Sequence, residues 1–288
     1  PIERWRSARG VAPAAAMCQN GAAATGEEAR VSDGEFRYVV EDGVGWFSFE
    51  RPEARNALTY GMYEGVRDVC RDVPTDGSVR ALVVTGSGGS FAAGTDMALF
   101  RSFATDEDAW AYEERMEAVF QAIERCPVPT IAAIEGACTG GGATIAAACD
   151  LRLATRRLKF GVPIARTLGN CLSTSNLARL VRVLGATRAR DLLLTARLVE
   201  AEEAASIGLV RELVDDADAL AERAAVLAHQ LAGYAPLTLR ATKEGLRRLE
   251  AAAAVDDRDL VALCYTSADF KEGIEAFLSK RKPVWRGE

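Results

Sequence analysis

Short apolar runs alternate along the chain with longer stretches of helical period, and that alternation predicts an α/β fold with a helical tail. FRYVV (36–40) and VGWFSFE (44–50) flank Asp42-Gly43 and predict a β-hairpin. A loop, RPEARNAL (51–58), enters a helix that continues through YGMYEGVRDVCRDV, with Asn56 as its candidate N-cap. ALVVTGS (81–87) and TIAAIEG (130–136) are apolar runs of the kind found in strands covered on both faces. A long amphipathic helix is expected over about 106–126, and LRLAT (151–155) and LKFGV (158–162) predict two short strands around Arg156-Arg157. From Ser173 the pattern predicts helices over 173–184, 186–194, 200–206, 217–233, 236–252, 257–268 and 270–280, with one strand at 209–214.

The first 34 residues are rich in Ala and Gly without a hydrophobic period. They read as a flexible leader, within which Met17 is a candidate start. The division that follows is a leader (1–34), a core (35–214) and a C-terminal helical region (215–288).

Composition narrows the function classes. A formal charge of −6 gives no support to nucleic-acid binding. No run reaches the ~18 apolar residues of a membrane span, and a cytoplasmic protein is expected. Seven cysteines lack metal-ligand or redox spacing and read mostly as buried reduced thiols. The one histidine, His229, falls in a helical pattern far from the glycine motifs. A Ser-His-Asp triad, a histidine base and a His-rich metal site are therefore set aside, and no metal is expected.

The chemistry-bearing feature is Gly140-Gly141-Gly142, which follows a buried strand and opens a small-residue helix. Glycines at a helix N-terminus let the backbone approach a ligand and add the positive end of the dipole. Two N–H donors aimed at a developing oxyanion are worth having, since removing one typically costs ~3 kcal/mol. Tight helix–strand packing would use the same residues.

Taken in order, RPEARNAL, ALVVTGSGGSFAAGTDM, IAAIEGACTGGG, ACDLRLAT and DFKEGIEAFLSKRKPVW resemble successive landmarks of the crotonase (enoyl-CoA hydratase/isomerase) superfamily, over about 36–285. The resemblance implies a spiral of ββα turns with a C-terminal trimerisation region, assembled as a trimer or a dimer of trimers. It implies an acyl-CoA thioester as ligand and no cofactor beyond the CoA moiety. Thr95 and Gly141 match the positions whose N–H groups form the family's oxyanion hole. Ala93 matches a carbonyl that meets the adenine amine, and Arg55 and Ala57 lie in the loop touching nucleotide and pantetheine. Phe277 and Lys280 match an aromatic and a cation lent to CoA at a neighbouring subunit.

Two positions depart from the family pattern. The hydratases' acid and base are glutamates, and Thr144 and Ile164 stand in their places. Standard hydration is therefore not expected; isomerisation, decarboxylation, C–C cleavage and thioester hydrolysis remain. In the segment ARTLGNCLSTSN (165–176), Arg166 is a candidate partner for an acyl carboxylate. Gly169-Asn170-Cys171 resembles the Gly-Asn-Asp of the 4-chlorobenzoyl-CoA dehalogenase branch, which makes Cys171 a candidate nucleophile and Asn170 a positioning group. The contrasting expectation is a non-catalytic acyl-CoA-binding or assembly subunit.

Overall fold

The computed structural model describes residues 30–32, 35–250, 258, 262 and 265–284. Strands β1 (Arg30–Ser32), β2 (Phe36–Glu41) and β3 (Val44–Phe49) form an antiparallel meander. Asp42 and Gly43 take φ of 52° and 75°, the positive pair a two-residue hairpin turn requires. β1 falls inside the segment read as a leader, because its backbone finds a partner in β2. Residues 1–29, including Met17, lie outside the described residues.

From β3 onward the sheet is parallel, through β4 (Ala81–Gly86), β5 (Thr130–Ile134), β7 (Leu151–Thr155) and β10 (Glu212–Val214). Every residue of β4 and β5 is buried, as their apolar runs predict. A second, three-stranded sheet pairs β6 (Ala137–Thr139), β8 (Lys159–Gly161) and β9 (Val199–Glu200). The chain thus winds as a spiral: a strand in the large sheet, a short strand in the small one, then a helix. β5, β6 and the glycine-led α3 (Gly141–Ala148) make one such turn.

The helices α1 (Tyr60–Asp72) and α2 (Asp106–Glu124) lie on the face of the large sheet that presents Phe47, Leu82 and Val84. Val44, Trp46, Val83 and Ile131 point to the opposite face, where α8 (Ala217–Ala232) seats Leu220, Ala224, Leu227 and Ala228. Between these come α4 (Ile164–Thr167), α5 (Thr174–Leu184), α6 (Ala186–Thr195) and α7 (Ala201–Ser206). α9 (Pro236–Glu250) and α10 (Ala268–Leu278) follow α8. Among the described residues no helix is long and apolar enough to cross a membrane.

Two expectations are corrected and one unexpected strand is added. Asn56 does not cap α1; Thr59 does, accepting from the Met62 N–H at 3.2 Å. Asn56 is instead fully buried at φ 54°. Its amide donates to the Ser87 and Ser90 carbonyls and its Oδ1 accepts from the Arg51 N–H. The strand expected over 209–214 is only 212–214, because α7 runs into a turn at Gly208 that takes the Leu209 N–H. Finally, 137–139 is a strand that the glycine-rich sequence hid. Most of the helix expected over 257–268 lies outside the described residues. Cys70, Cys126, Cys138 and Cys149 are buried free thiols, Cys171 is half-buried, and His229 is exposed near the end of α8.

Candidate active site

Two loops are stitched together by backbone bonds before any side chain is considered. Leu58 N–H donates to the Gly94 carbonyl at 2.8 Å, and Asp96 N–H donates to the Leu58 carbonyl at 2.9 Å. Ala93 N–H donates to the Arg55 carbonyl at 3.0 Å. Since Gly94 and Asp96 both face Leu58, the alternation of extended backbone turns the Thr95 N–H away from that loop. Arg51 locks the pair from outside, donating to Asp96 at 3.0 Å and to the Ala57 carbonyl at 2.8 Å.

The second wall is the start of α3. Gly140 precedes it at φ 53° and ψ −124°, a conformation closed to L side chains. A β-carbon at Gly142 would run into the Ala92 carbonyl, so the helix start presses against the loop segment before Thr95. Gly141 is the first helical residue, and its N–H has no intrahelical acceptor. Thr95 and Gly141 line one cavity of about 140 Å³. Two N–H groups and a helix N-terminus on its walls can stabilise negative charge on a ligand oxygen.

Side chains the sequence did not single out fix this arrangement. The Thr95 hydroxyl is hydrogen-bonded to the Tyr63 hydroxyl at 2.8 Å and to the Tyr112 hydroxyl at 3.1 Å. Burial pushes the pKa values of both phenols above the ordinary tyrosine value, so they serve as neutral hydrogen-bonding groups. Deeper along the cavity, the Tyr265 hydroxyl donates to Glu113 Oε1 at 2.6 Å and accepts from Asn170 Nδ2 at 3.1 Å. Burial raises the Tyr265 pKa, with Glu113 adding to the effect. Phe100, Met97, Met116 and Phe120 supply apolar lining.

Of the residues read from the sequence, Thr95, Gly141, Thr144, Ile164, Asn170, Cys171, Ala93 and Phe277 are brought together around this cavity. Thr144 is buried, and its hydroxyl bonds back to the Gly140 carbonyl at 3.3 Å. Ile164 begins α4 with an apolar side chain. Arg166 is exposed and is not among the residues lining the cavity. Phe277, expected to serve a neighbouring subunit, lines the cavity of its own chain. Arg55, Ala57 and Lys280 are not among the residues lining the cavity, Arg55 and Lys280 being exposed and Ala57 half-buried.

Glu113 was missed because α2 carries so many carboxylates that each reads as solvated. The signal was its spacing. It sits four residues after buried Ala109 and three before buried Met116, on the helix's inner stripe.

Known proteins agree with this architecture. A profile of the enoyl-CoA hydratase/isomerase family matches residues 40–288. Crotonyl-CoA hydratase of Syntrophomonas wolfei is 35% identical over 247 residues, covering 84% of this chain and 94% of the relative. The crystal structure of an enoyl-CoA hydratase/carnithine racemase from Magnetospirillum magneticum has a TM-score of 0.73 at 33% identity, covering 90% of this chain and 97% of that one. Methylmalonyl-CoA decarboxylase complexed with 2S-carboxypropyl-CoA has a TM-score of 0.80 at 25% identity, covering 90% of this chain and all of the other, 100%. The chain belongs to the enoyl-CoA hydratase/isomerase family and has the crotonase fold.

Proposed function

We propose that the chain is a cytoplasmic acyl-CoA-processing enzyme that stabilises a thioester enolate or oxyanion between the N–H groups of Thr95 and Gly141. The observation that carries the reading is that these two donors come from separate elements and line one cavity. Thr144 and Ile164 cannot titrate at neutral pH, so the reaction is not the two-glutamate hydration. Decarboxylation fits the same donors, because loss of CO2 leaves the electron pair on the α-carbon without a protein base. The likeness to methylmalonyl-CoA decarboxylase supports keeping that chemistry among the candidates. The CoA moiety is the only cofactor-like group in this reading. The unit is a homotrimer or a dimer of trimers, for which Leu237, Leu246 and Leu249, exposed on α9, offer apolar surface.

The test is incubation of the protein with crotonyl-CoA and with branched, dicarboxylic and aromatic acyl-CoAs, read by mass spectrometry. Consumption of a thioester other than crotonyl-CoA is the expected result. Thermal stabilisation by acyl-CoA without conversion of any of them would favour a binding or assembly subunit, the reading supported by the missing glutamates. Rapid hydration of crotonyl-CoA would overturn the exclusion of hydratase chemistry.

A further inference from the structure

Resting on the acyl-CoA reading above, we propose that Glu113 is the acid–base residue of this site. It moves a proton between the acyl carbon beside the thioester and solvent, from a helix that does not carry the family's usual glutamates.

Three observations converge on it. Among the described residues lining the cavity, Glu113 is the one carboxylate. It projects from the inner stripe of α2, directly after Tyr112, whose hydroxyl holds Thr95. The carboxylate is therefore carried on the same helical turn that fixes one wall of the oxyanion site.

The second observation is its orientation. Tyr265 donates its proton to Glu113 Oε1, so the phenolic oxygen has only lone pairs left to offer Asn170. That requirement sets the Asn170 amide with Nδ2 towards Tyr265. A hydrogen bond of this kind aims the carboxylate from one oxygen and leaves the other, Oε2, to face a ligand.

The third follows from the second. With Nδ2 committed, Asn170 Oδ1 is left buried and without a hydrogen-bond partner among the described residues. A buried acceptor of this kind costs about 1–3 kcal/mol unless a donor reaches it. It lies on the residue that also positions Tyr265 at the cavity wall, where a water or a hydroxyl of the acyl group would satisfy it.

The step balances without any further reactant. The Glu113 carboxylate takes a proton from the α-carbon, and the C–H electron pair becomes the enolate double bond. The thioester π pair moves onto its oxygen, facing the Thr95 and Gly141 N–H groups. The reverse step returns a proton to the same carbon, or to the γ-carbon when the acyl group is a 3-enoyl chain. Glu113 Oε2 is itself buried, so the proton it holds exchanges through water that enters the cavity between turns.

Butyryl-CoA in deuterium oxide tests this, with deuterium gain at the α-carbon read by mass spectrometry and binding read by thermal shift. The wild-type protein is expected to incorporate deuterium. Glu113→Gln is expected to slow incorporation by at least ~100-fold, the lower end of what a positioned acid–base group contributes. Butyryl-CoA should stabilise both proteins alike. Exchange by Glu113→Gln within a few-fold of wild type overturns the proposal, as does wild-type binding with no exchange. Should Glu113→Gln not fold, Glu113→Asp decides. Slowed exchange at unchanged binding supports the role, and undiminished exchange overturns it. Absence of binding by the wild type would instead overturn the acyl-CoA reading on which the proposal rests.

Discussion

The hydroxyl of Tyr63 occupies the space in which a β-carbon at position 141 would stand. The same hydroxyl holds Thr95, so the two N–H-bearing residues are coupled through one phenol. Gly141→Ala must push the Tyr63 ring back and break that bond, at an overpacking cost of about 1–3 kcal/mol. Removing the oxygen by Tyr63→Phe relieves part of the overlap. In a double-mutant cycle read by urea unfolding, Gly141→Ala is expected to cost less in the Tyr63→Phe background than in the wild type. Additive costs would show that the overlap is relieved elsewhere.

Thr95→Val keeps the backbone donor and removes the hydroxyl that Tyr63 and Tyr112 share. Two buried phenols then lose a partner, and a loss of about 2 kcal/mol in unfolding free energy is expected. Turnover of the identified thioester should fall much less than in Gly141→Pro, because the Thr95 N–H survives. Equal losses in the two variants would mean that the side chain, not the main chain, contacts substrate.

Lys243 anchors α9 to the core, donating to Asp150 at 2.7 Å and to the Ile123 and Val128 carbonyls at 3.3 Å. Burial works against its charge, but Asp150 outweighs that and raises the Lys243 pKa above the ordinary lysine value. A raised pKa in the folded state means the contribution is complete below about pH 10.4, the unfolded value, and fades as pH climbs through the folded one. Asp150 is 31% exposed, which holds the expected cost of Lys243→Met near 2 kcal/mol rather than the 3–5 kcal/mol of a fully buried pair. Urea unfolding at neutral pH should show that gap, and the gap should close in strongly alkaline buffer.

Asn56 joins three backbone segments through buried bonds of 2.7–2.9 Å. Asn56→Ala leaves two carbonyls and one N–H without that partner, and about 3 kcal/mol of destabilisation is expected. Asn56→Asp restores the acceptor for Arg51 but turns a carboxylate oxygen on the Ser87 and Ser90 carbonyls. Urea unfolding at pH 7 should find it no more stable than the alanine variant.

The parts of the fold legible in the sequence are those that local chemistry decides. Asp42-Gly43 can hardly be anything but a tight turn, and Gly140–Gly142 before a small-residue run marks a helix start pressed against a strand. What escaped depends on neighbours distant in sequence. Asn56 has the composition of a cap, and only the approach of residues 87 and 90 turns it into a buried clasp. Tyr63 and Tyr112 look like ordinary core aromatics until their hydroxyls meet at Thr95. Glu113 needed both the register of α2 and the arrival of Tyr265, 152 residues later, to be told apart from its solvated neighbours.

Thr95 and Gly141 offer main-chain groups, and this bears on how the protein can change. A codon substitution replaces a side chain; it deletes a backbone N–H only when it installs proline. A pair of main-chain donors is therefore nearly invisible to point mutation, provided the backbone bridge at Leu58 and the helix start at Gly141 persist. Positions 113, 144 and 164 have no such shelter. New chemistries can be tried there one residue at a time, on a scaffold whose costliest electrostatic feature is inherited with the path of the chain.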